Sequence, residues 1–266
     1  MVELYGVLGD DDSELDAFQL DHGFADVVPA SILQVTQKVG GITAGAFDKT
    51  GDLVGFVFGV TGVERGELVH WSDMLAVRSS LRNRGIGRRL KEFQRDAVAK
   101  LGVTVIYWTY EPLVARNAHL NFNVFGTRAV QYVRDMYGHF TGSELHRGIG
   151  TDRLVVAWPV DAARQEEHRR ASATAREAIE SAAAPIIADI EQPSRPLAEI
   201  VGAKPRLRIA VPADIEPMLV RDGARALAWR ESTRDAFEAC WAAGYHVDGF
   251  RLDPGNSRGF YLLSRQ

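Results

Sequence analysis

The clearest pattern of apolar and polar positions lies in residues 41–77. GITAGAF (41–47) and LVGFVFGV (53–60) are apolar runs, and the polar turn KTGD separates them. A third run, LVHWSDMLAV (68–77), mixes apolar and polar positions. Apolar runs of this length that are bounded by turn residues are typical of β-strands, and the first two predict a β-hairpin.

After residue 77 the spacing changes to that of a helix. Ile86, Leu90, Phe93 and Ala97 recur every three to four positions with charged residues between them, which predicts an amphipathic helix that ends near Gly102. The following segments predict a buried strand, a shorter helix and a last strand: VTVIYWTY (103–110), residues 114–125 and LVVAWPV (154–160). We also predict a helix within residues 1–20, where apolar positions follow acidic residues.

The composition changes after residue 160, which predicts three parts of the chain. Residues 161–205 are rich in Ala, Glu and Arg, then in Pro, and lack aromatic residues, so we expect a charged helix and a linker. Residues 206–266 predict a strand, a helix and two strands, and the apolar stripe of this helix holds Trp229, Phe237, Cys240 and Trp241. About sixty residues are few for independent stability, so we expect this segment to dock on residues 1–160 or to extend their sheet.

Composition and charge exclude several classes of protein. The 266 residues are 46% hydrophobic and carry a net charge of -4, which predicts a packed core and argues against a protein that coats nucleic acid or an anionic membrane. The single cysteine excludes an internal disulfide and a thiolate-rich metal site. His119, His139 and His146 lack the spacing of metal ligands, so we expect no metal. The acidic N-terminus and the lack of an apolar run of about 20 residues predict a soluble, cytoplasmic protein.

The segment RNRGIGRRL (82–90) combines two glycines with four arginines at the predicted start of a helix. The first N–H groups of a helix have no partner within it and carry partial positive charge, so such a terminus binds phosphate, and glycines allow the ligand close to the backbone. A Rossmann loop would need a third glycine where Leu90 stands, and the G-K-[ST] of a Walker A loop is missing. The alternatives are a pyrophosphate-binding loop and a helix start with a solvated basic face. An arginine-rich helix could also contact nucleic acid, but Glu92 and Asp96 interrupt its charge.

Leu75–Val77, a short loop, and Arg82, Gly85 and Gly87 in the pattern R-x-x-G-x-G resemble the acyl-CoA-binding core of the GNAT superfamily of N-acyltransferases. The order of predicted elements over residues 1–160 is also similar to that superfamily. The stretch 108–126 resembles a bacterial branch of predicted acetyltransferases that carry a C-terminal extension. The resemblance implies an α+β fold, with a mixed, mostly antiparallel central sheet flanked by helices and a smaller C-terminal β-α-β-β segment.

The resemblance also implies how acyl-CoA would be bound. Backbone N–H groups from Asn83 to Arg88 would hold the pyrophosphate, and the end of the third strand would pair with the pantetheine amides. The N–H of Leu75 would polarise the thioester carbonyl. Asn117 matches an asparagine near the pantetheine arm, and Arg116 would bind the 3′-phosphate or a substrate carboxylate, or form only a surface ion pair. The predicted binding residues are Leu75, Ala76, Val77, Arg82, Asn83, Arg84, Gly85, Ile86, Gly87, Arg88, Arg116 and Asn117.

Transfer to an amine also needs a base, because only the neutral amine attacks a thioester. Strict alternation along residues 68–77 places Trp71, Asp73 and Leu75 on one face and His70, Ser72 and Met74 on the other. Asp73 lies two residues before Leu75, where some GNAT relatives have a histidine base. An exposed aspartate has a pKa of ~3.9, so Asp73 would act as a base only if burial raises its pKa or if water relays the proton. The alternative is that Asp73 anchors a loop or a substrate ammonium.

The leaving thiolate needs a proton, and the residue that many GNAT enzymes use is replaced. Those enzymes place a tyrosine four residues before the glycine that ends the helix, but here that position is Phe122. Tyr132 and Tyr137 follow closely and are the candidate acids, although ordinary packing would explain both. The thiolate could also leave unaided, because a thiol pKa near ~8.5 makes it a tolerable leaving group.

The sequence therefore predicts an acyl-CoA-dependent N-acyltransferase. The acyl group would be acetyl or another short group such as succinyl, and the acceptor would be the primary amine of a small molecule, with an amino acid as one candidate. The alternative is a catalytically silent acyl-CoA-binding module whose C-terminal extension contacts a partner. A homodimer is one option for the assembly.

Overall fold

A computed structural model describes residues 3–5, 28–138, 148–181, 183–192, 196–253, 255 and 257–265. The chain forms two compact units. Unit 1 comprises Met1–Trp108 and Pro159–Ala162, and unit 2 comprises Thr109–Trp158 and Ala163–Gln266. The predicted boundaries at residues 160 and 205, and the docking of the last segment, stay predictions.

Unit 1 is built on consecutive strands. They are β1 (Glu3–Tyr5), β2 (Ile42–Phe47), β3 (Leu53–Glu64), β4 (Glu67–Val77) and β5 (Val105–Tyr110), the last of which ends in unit 2. Each strand pairs with the next along the chain, and only β4 and β5 run parallel. The two apolar runs and the mixed run of the sequence therefore form strands, as predicted. The helix predicted within residues 1–20 lies outside the described residues, except that residues 3–5 form a strand.

Two tight turns fix the register of these strands. In the β2–β3 turn the carboxylate of Asp48 accepts hydrogen bonds from the N–H groups of Thr50 and Asp52, at 2.9 and 3.1 Å. In the β3–β4 turn Arg65 and Gly66 both have positive φ, 52° and 84°. Two adjacent residues with positive φ match the twist of a two-residue hairpin, which explains the glycine.

Two helices of unit 1 pack on opposite faces of the sheet. Helix α1 (Ala30–Lys38) contributes Leu33 to a buried cluster with Phe56 and Phe58. Helix α2 (Ile86–Ala99) packs on the other face, in the cluster that contains Val57. Neighbouring strand residues point to opposite faces, so residues 53–59 of β3 are buried and carry no polar side chain because both faces are covered there. Helix α2 begins where predicted, whereas α1 was not predicted.

A β-bulge in β4 overturns the predicted alternation of its side chains. Phe58 pairs with Met74 and Gly59 with Ser72, so Asp73 is the extra residue. Such an extra residue switches the face on which later side chains lie. Met74 therefore packs on the α1 side, while Leu75 packs on the α2 side. The prediction that Met74 shares a face with His70 and Ser72, and Leu75 with Trp71, is wrong for this reason.

Unit 2 contains the remaining elements. In chain order they are α3 (Ala115–His119), a π-helical turn (Leu120–Phe125), β6 (Arg128–Val133), β7 (Arg153–Pro159), α4 (Ala162–Ser181), β8 (Ile186–Ile187), α5 (Leu197–Ile200), β9 (Arg206–Pro212), α6 (Glu216–Arg221), α7 (Gly223–Ala242), β10 (His246–Asp253) and β11 (Arg258–Ser264). Strands β6 and β7 pair in antiparallel register, and four strands form a second sheet in the order β10-β11-β9-β8. The predicted fold class is confirmed: the fold is mixed α+β with mostly antiparallel pairing, and a smaller second sheet is present.

The core of unit 2 lies between α7 and its sheet. Trp229, Phe237 and Cys240 of α7 are at most 1% exposed, as the predicted apolar stripe requires, while Trp241 is half-buried. Tyr261 of β11 is fully buried, and its hydroxyl donates to the main-chain oxygen of Pro112 at 2.7 Å. The strand-helix-strand-strand order predicted for residues 206–266 is present, and β6 was not predicted.

Candidate functional site

The segment before α2 presents a row of unpaired backbone donors. Asn83 and Gly85 both adopt the left-handed conformation, with φ of 63° and 79°, and α2 begins at Ile86. Among the described residues, no group accepts a hydrogen bond from the N–H groups of residues 83–88, and the first amide with an acceptor is that of Arg89, which bonds to Gly85 O at 3.0 Å. Six adjacent amides without partners, at the positive end of a 14-residue helix, are suited to bind an anion.

The glycines keep this row accessible. A Cβ placed on Gly85 would have no atom within 4 Å, so the space beside it is open. A Cβ on Gly87 would lie 3.7 Å from the side chains of Leu75 and Val77, which is ordinary contact. Gly87 therefore faces the end of β4, and the unpaired amides lie next to that strand.

Arginines supply further positive charge at the same place. Arg82 and Arg84 are exposed, and no carboxylate within the described residues pairs with either of them. Arg88 is 2.8 Å from Glu92 and is thus partly neutralised. A groove of about 330 Å³ adjoins the row of amides, and its walls are formed by Asp48, Lys49, Thr50, Leu81, Arg84, Ile86 and Arg89.

Strands β4 and β5 separate close to this point. Their parallel pairing comprises three positions, from Val69 with Val105 to Trp71 with Tyr107. From Ser72 onwards, the edge of β4 that faces β5 has no pairing with that strand. The main-chain groups on that edge are available to a ligand, and they lead from Ser72 to the unpaired amides of α2.

Asp73 is the bulged residue of β4 and lies on the surface. Its carboxylate has no hydrogen-bond partner among the described residues. Partial desolvation raises the pKa of Asp73 above its ordinary value, which is the direction that a general base requires.

A buried polar cluster lies under the separated strands, on the α2 side of the sheet. Lys91 is 3% exposed, donates a hydrogen bond from Nζ to Ser72 Oγ at 2.6 Å, and lies 3.9 Å from the ring centre of Trp108. His70 and Gln94 are fully buried beside it. Burial lowers the pKa of the Lys91 ammonium well below its usual range. Burial lowers the pKa of His70 to about 4.

The hydrogen bonds around His70 define its tautomer. Thr61 gives its single hydroxyl hydrogen to Gly40 O at 2.6 Å, so at 2.9 Å it accepts from Nδ1 of His70. Nε2 of His70 is therefore an unprotonated acceptor, and it has no partner among the described protein atoms. Both amide atoms of Gln94 also lack a protein partner. Gly59 makes room for this pair, because a Cβ there would lie 2.4 Å from His70 Nε2 and 2.8 Å from Gln94 Nε2.

Sequence reasoning missed this cluster because it treated Lys91 and Gln94 as polar positions on an amphipathic helix. The buried residues of α2 are Ile86, Leu90, Lys91, Gln94 and Val98, so the buried stripe is rotated away from the predicted Phe93 and Ala97. A signal was present: Gly87, Lys91, Gln94 and Val98 follow one another at helical spacings of four, three and four residues.

The predicted binding residues of α3 lie in unit 2. The guanidinium of Arg116 forms a bidentate ion pair with Glu216, which has one contact of 3.1 Å, so a carboxylate already occupies its donors. Asn117 is half-buried, and its N–H donates to Val114 O at 2.9 Å. Arg116 and Glu216 also line a pocket of about 200 Å³.

Tyr132, one of the two candidate acids, belongs to a buried ionic network of unit 2. Its hydroxyl donates to Asp152, and its ring stacks on Phe237 with centres 5.0 Å apart. Arg234 binds the same carboxylate with two hydrogen bonds of 2.7 and 2.8 Å. Burial, followed by the charge of Asp152, raises the pKa of Tyr132, so this hydroxyl holds its proton firmly.

Tyr137, the second candidate acid, is 47% exposed, and its hydroxyl lies 3.0 Å from Thr109 Oγ1. Phe122 is 5% exposed and packs edge-on against Tyr110 and Tyr261. The position of the usual GNAT tyrosine is therefore apolar core. His119 is exposed beside Asn123, and His139 and His146 lie outside the described residues.

Unit 1 thus holds Leu75–Val77, the loop 82–88 and Asp73, whereas Arg116, Asn117, Tyr132 and Tyr137 belong to unit 2. The described parts of the chain contain no group of three or more His, Cys, Asp or Glu residues placed to bind a metal ion. No described helix combines the length and apolarity needed to cross a membrane.

No protein-family model and no curated protein sequence matches this chain. Several solved structures are similar to part of this chain. The Escherichia coli ribosomal-protein-S18-alanine N-acetyltransferase is 17% identical, with a TM-score of 0.47 over 60% of this chain and 95% of that one. An acetyltransferase of the GNAT family from Streptococcus pneumoniae is 16% identical, with a TM-score of 0.48 over 60% and 99%. Arabidopsis thaliana Naa50, in complex with a bisubstrate analogue of CoA, is 18% identical, with a TM-score of 0.48 over 59% and 97%.

The first two of these structures are acetyltransferases, and the second carries the GNAT name that the loop at residues 82–88 suggested. At such identities and TM-scores they carry no conclusion about activity or substrate.

Proposed function

We propose that the protein is an acyl-CoA-dependent N-acyltransferase that transfers an acetyl or other short acyl group to a primary amine. The observation that carries the proposal is the row of six unpaired amides at residues 83–88, next to the point where β4 leaves β5. An anion-binding helix start joined to an open strand edge fits a ligand with a diphosphate at one end and an amide-rich arm at the other.

The length of the strand edge supports this assignment. Val77 touches the start of α2, and Ser72 is the first residue beyond the β4–β5 pairing. The five residue-to-residue steps from Ser72 to Val77 span about 17 Å, which suits an extended pantetheine arm. In this proposal the arm pairs with the open edge of β4, and an N–H there, that of Leu75 by our assignment, polarises the thioester carbonyl. The groove with Arg84 and Arg89 would receive the adenosine end.

Asp73 is the proposed proton acceptor for the incoming amine. It is the bulged residue of the same strand, its carboxylate has no hydrogen-bond partner in the described part of the chain, and its pKa is raised. For the leaving thiolate, Tyr137 is the better of the two tyrosines, because its hydroxyl lies at the surface whereas that of Tyr132 is committed to Asp152. Departure of the thiolate without an acid remains the other route. With Arg116 engaged by Glu216, binding of a phosphate there would first require loss of that ion pair.

The acceptor in this proposal is a small-molecule amine, with an amino acid as one candidate. A peptide amino terminus presents the same nucleophile, so an acceptor screen should contain both classes. The cytoplasmic location and the homodimer stay predictions.

A variant with an added negative charge tests the binding loop. Gly87→Glu places a carboxylate among the unpaired amides. A helix start favours glutamate over glycine by about 1 kcal/mol, so the variant should unfold at or above the wild-type temperature. Repulsion of the diphosphate should weaken acetyl-CoA binding by roughly 100-fold in isothermal titration. The matched control is Gly223→Glu, which adds the same charge at the exposed start of α7 and should bind acetyl-CoA like the wild type. Equal affinity in all three proteins would refute the assignment of the loop.

The second candidate function is a silent acyl-CoA-binding module, which the apolar position of Phe122 favours. Release of free CoA from acetyl-CoA in the presence of an amine panel separates the two functions. Acetyl-CoA at 100 times its dissociation constant should raise the free energy of unfolding of either kind of protein by ~2.7 kcal/mol. Only an enzyme should release CoA when an amine is added.

A further inference from the structure

Lys91 is a buried lysine without a counter-charge. Its side chain is 3% exposed, and no carboxylate of the described residues lies within 4 Å of Nζ. A charged amine in such surroundings is costly, so burial favours the neutral form of the amine and lowers its pKa. A neutral, desolvated lysine amine is a nucleophile.

The amine lies where β4 and β5 separate. Nζ of Lys91 contacts Ser72 and the ring of Trp108, which are the first residues of the two strands beyond their last paired positions. Gly87, one turn earlier on α2, faces Leu75 and Val77. Along β4 the amine therefore lies at the far end of the open edge from the row of amides. In the proposed function, the thioester of the bound ligand reaches this end.

Polar groups next to the amine lack partners. Gln94 follows Lys91 by three residues on the same helix face and is fully buried, and no atom of the described ranges bonds to its N–H donors or to its oxygen. Nε2 of His70 is an unpaired acceptor within about 5 Å of the Gln94 amide nitrogen, because both lie within 2.8 Å of the Cβ position of Gly59. Such buried groups normally have a partner, so the cluster is suited to one further polar group.

We propose that Lys91 is a site of self-acylation, at which its side chain takes the acyl group of an acyl-CoA bound to the row of amides. This inference rests on the proposed function, because the row of amides must deliver the thioester.

The reaction is balanced without a further reagent. Nζ attacks the thioester carbonyl, the N–C bond forms and the C–S bond breaks. The amine loses one proton, and the CoA thiolate takes it up. The product is an uncharged amide, which removes the cost of a buried amine, and its new carbonyl oxygen can accept a hydrogen bond from the Gln94 amide.

The test is mass spectrometry of the whole chain after incubation with isotopically labelled acetyl-CoA at pH 7.5, followed by peptide mapping. An ordinary lysine with a pKa near 10.4 is neutral to roughly one part in a thousand at this pH, so preferential acetylation of Lys91 requires its altered surroundings. We expect one acetyl group per chain, with occupancy at Lys91 roughly tenfold or more above that at Lys100, the exposed residue that directly follows the same helix. Gly87→Glu should lose this labelling, whereas Gly223→Glu should retain it.

Thermal shifts measured on the same samples separate the two proposals. Stabilisation by acetyl-CoA without acetylation of Lys91 would overturn the self-acylation and leave the proposed function in place. Equal labelling of Lys91 and Lys100, or equal labelling in wild type and Gly87→Glu, would also overturn it, because the reaction would then be independent of the binding loop. Absence of any stabilisation by acetyl-CoA would refute the proposed function and this inference with it.

Discussion

The buried His70 should make the stability of the protein fall with decreasing pH in a defined window. Its pKa is about 4 in the folded chain, whereas an unfolded histidine has a pKa near 6.5. Between these two values the unfolded imidazole binds a proton that the folded one does not. The free energy of unfolding therefore decreases as the pH falls from about 6.5 to about 4, and the effect is absent above pH 7.

The size of this effect follows from the two pKa values. Each unit of difference corresponds to about 1.4 kcal/mol, so the loss over the window is about 3 kcal/mol. The free energy of unfolding of a small domain is roughly 5–15 kcal/mol, so one histidine would account for a large share of the loss of stability in acid.

Urea unfolding of the wild type and of His70→Asn, measured from pH 8 to pH 4, isolates this contribution. Asparagine can keep the hydrogen bond to Thr61, and the carboxylates titrate alike in both proteins, so their difference reports the histidine. A packing change alone would make the free energies of unfolding of the two proteins differ by the same amount at every pH. The loss predicted for His70 instead changes this difference by about 3 kcal/mol, in favour of His70→Asn, as the pH falls below 6.5. A gap that is independent of pH would show that His70 can be protonated in the folded protein, and the description of the buried cluster would be wrong.

Two further substitutions test the packing of each unit. Gly59→Ala should lower the free energy of unfolding by about 2 to 3 kcal/mol, because its Cβ would come within 2.6 Å of a main-chain oxygen of β4. The control Gly62→Ala on the same strand should have little effect, because its Cβ would meet no atom within 4 Å. A similar melting temperature for both variants would contradict this. Arg234→Met should cost about 3 kcal/mol, because it leaves the buried carboxylate of Asp152 short of its main partner. The exposed Arg170→Met should change the stability by less than about 1 kcal/mol, and denaturant titration compares the two.

The loop at residues 82–88 was predictable because its chemistry is local. Two glycines, clustered arginines and the periodicity that begins at Ile86 define a helix start without any tertiary information. The same holds for the β2–β3 hairpin, where an apolar run, a turn and a second apolar run are adjacent in the chain.

The bulge at Asp73 could not be predicted in this way. Period-two alternation assumes one residue per pairing position, and a single extra residue reverses the faces of all that follow it. His70 and Leu75 consequently share the α2 side, although the alternation places them on opposite faces. The buried amine of Lys91 also escaped prediction, because a lysine between arginines on a helix is most simply solvent-exposed. Its burial follows from the path of Trp108 and Ser72, which only the tertiary structure defines.

Contacts between distant parts of the chain in unit 2 could not be predicted from the sequence either. The departure from the GNAT pattern at Phe122 was visible in the sequence, but its packing against Tyr110 and Tyr261 depends on residues more than a hundred positions apart. The role of Tyr132 likewise depends on Asp152, which directly precedes β7, and on Arg234 of α7. Contacts of this kind leave no local pattern.

The most direct measurement is a crystal structure of the chain with acetyl-CoA. The account predicts both phosphates of the diphosphate within hydrogen-bond distance of the N–H groups of residues 83–88, with the thioester along the open edge of β4 towards Ser72. A diphosphate bound elsewhere, or those N–H groups covered by the protein's own side chains, would contradict it.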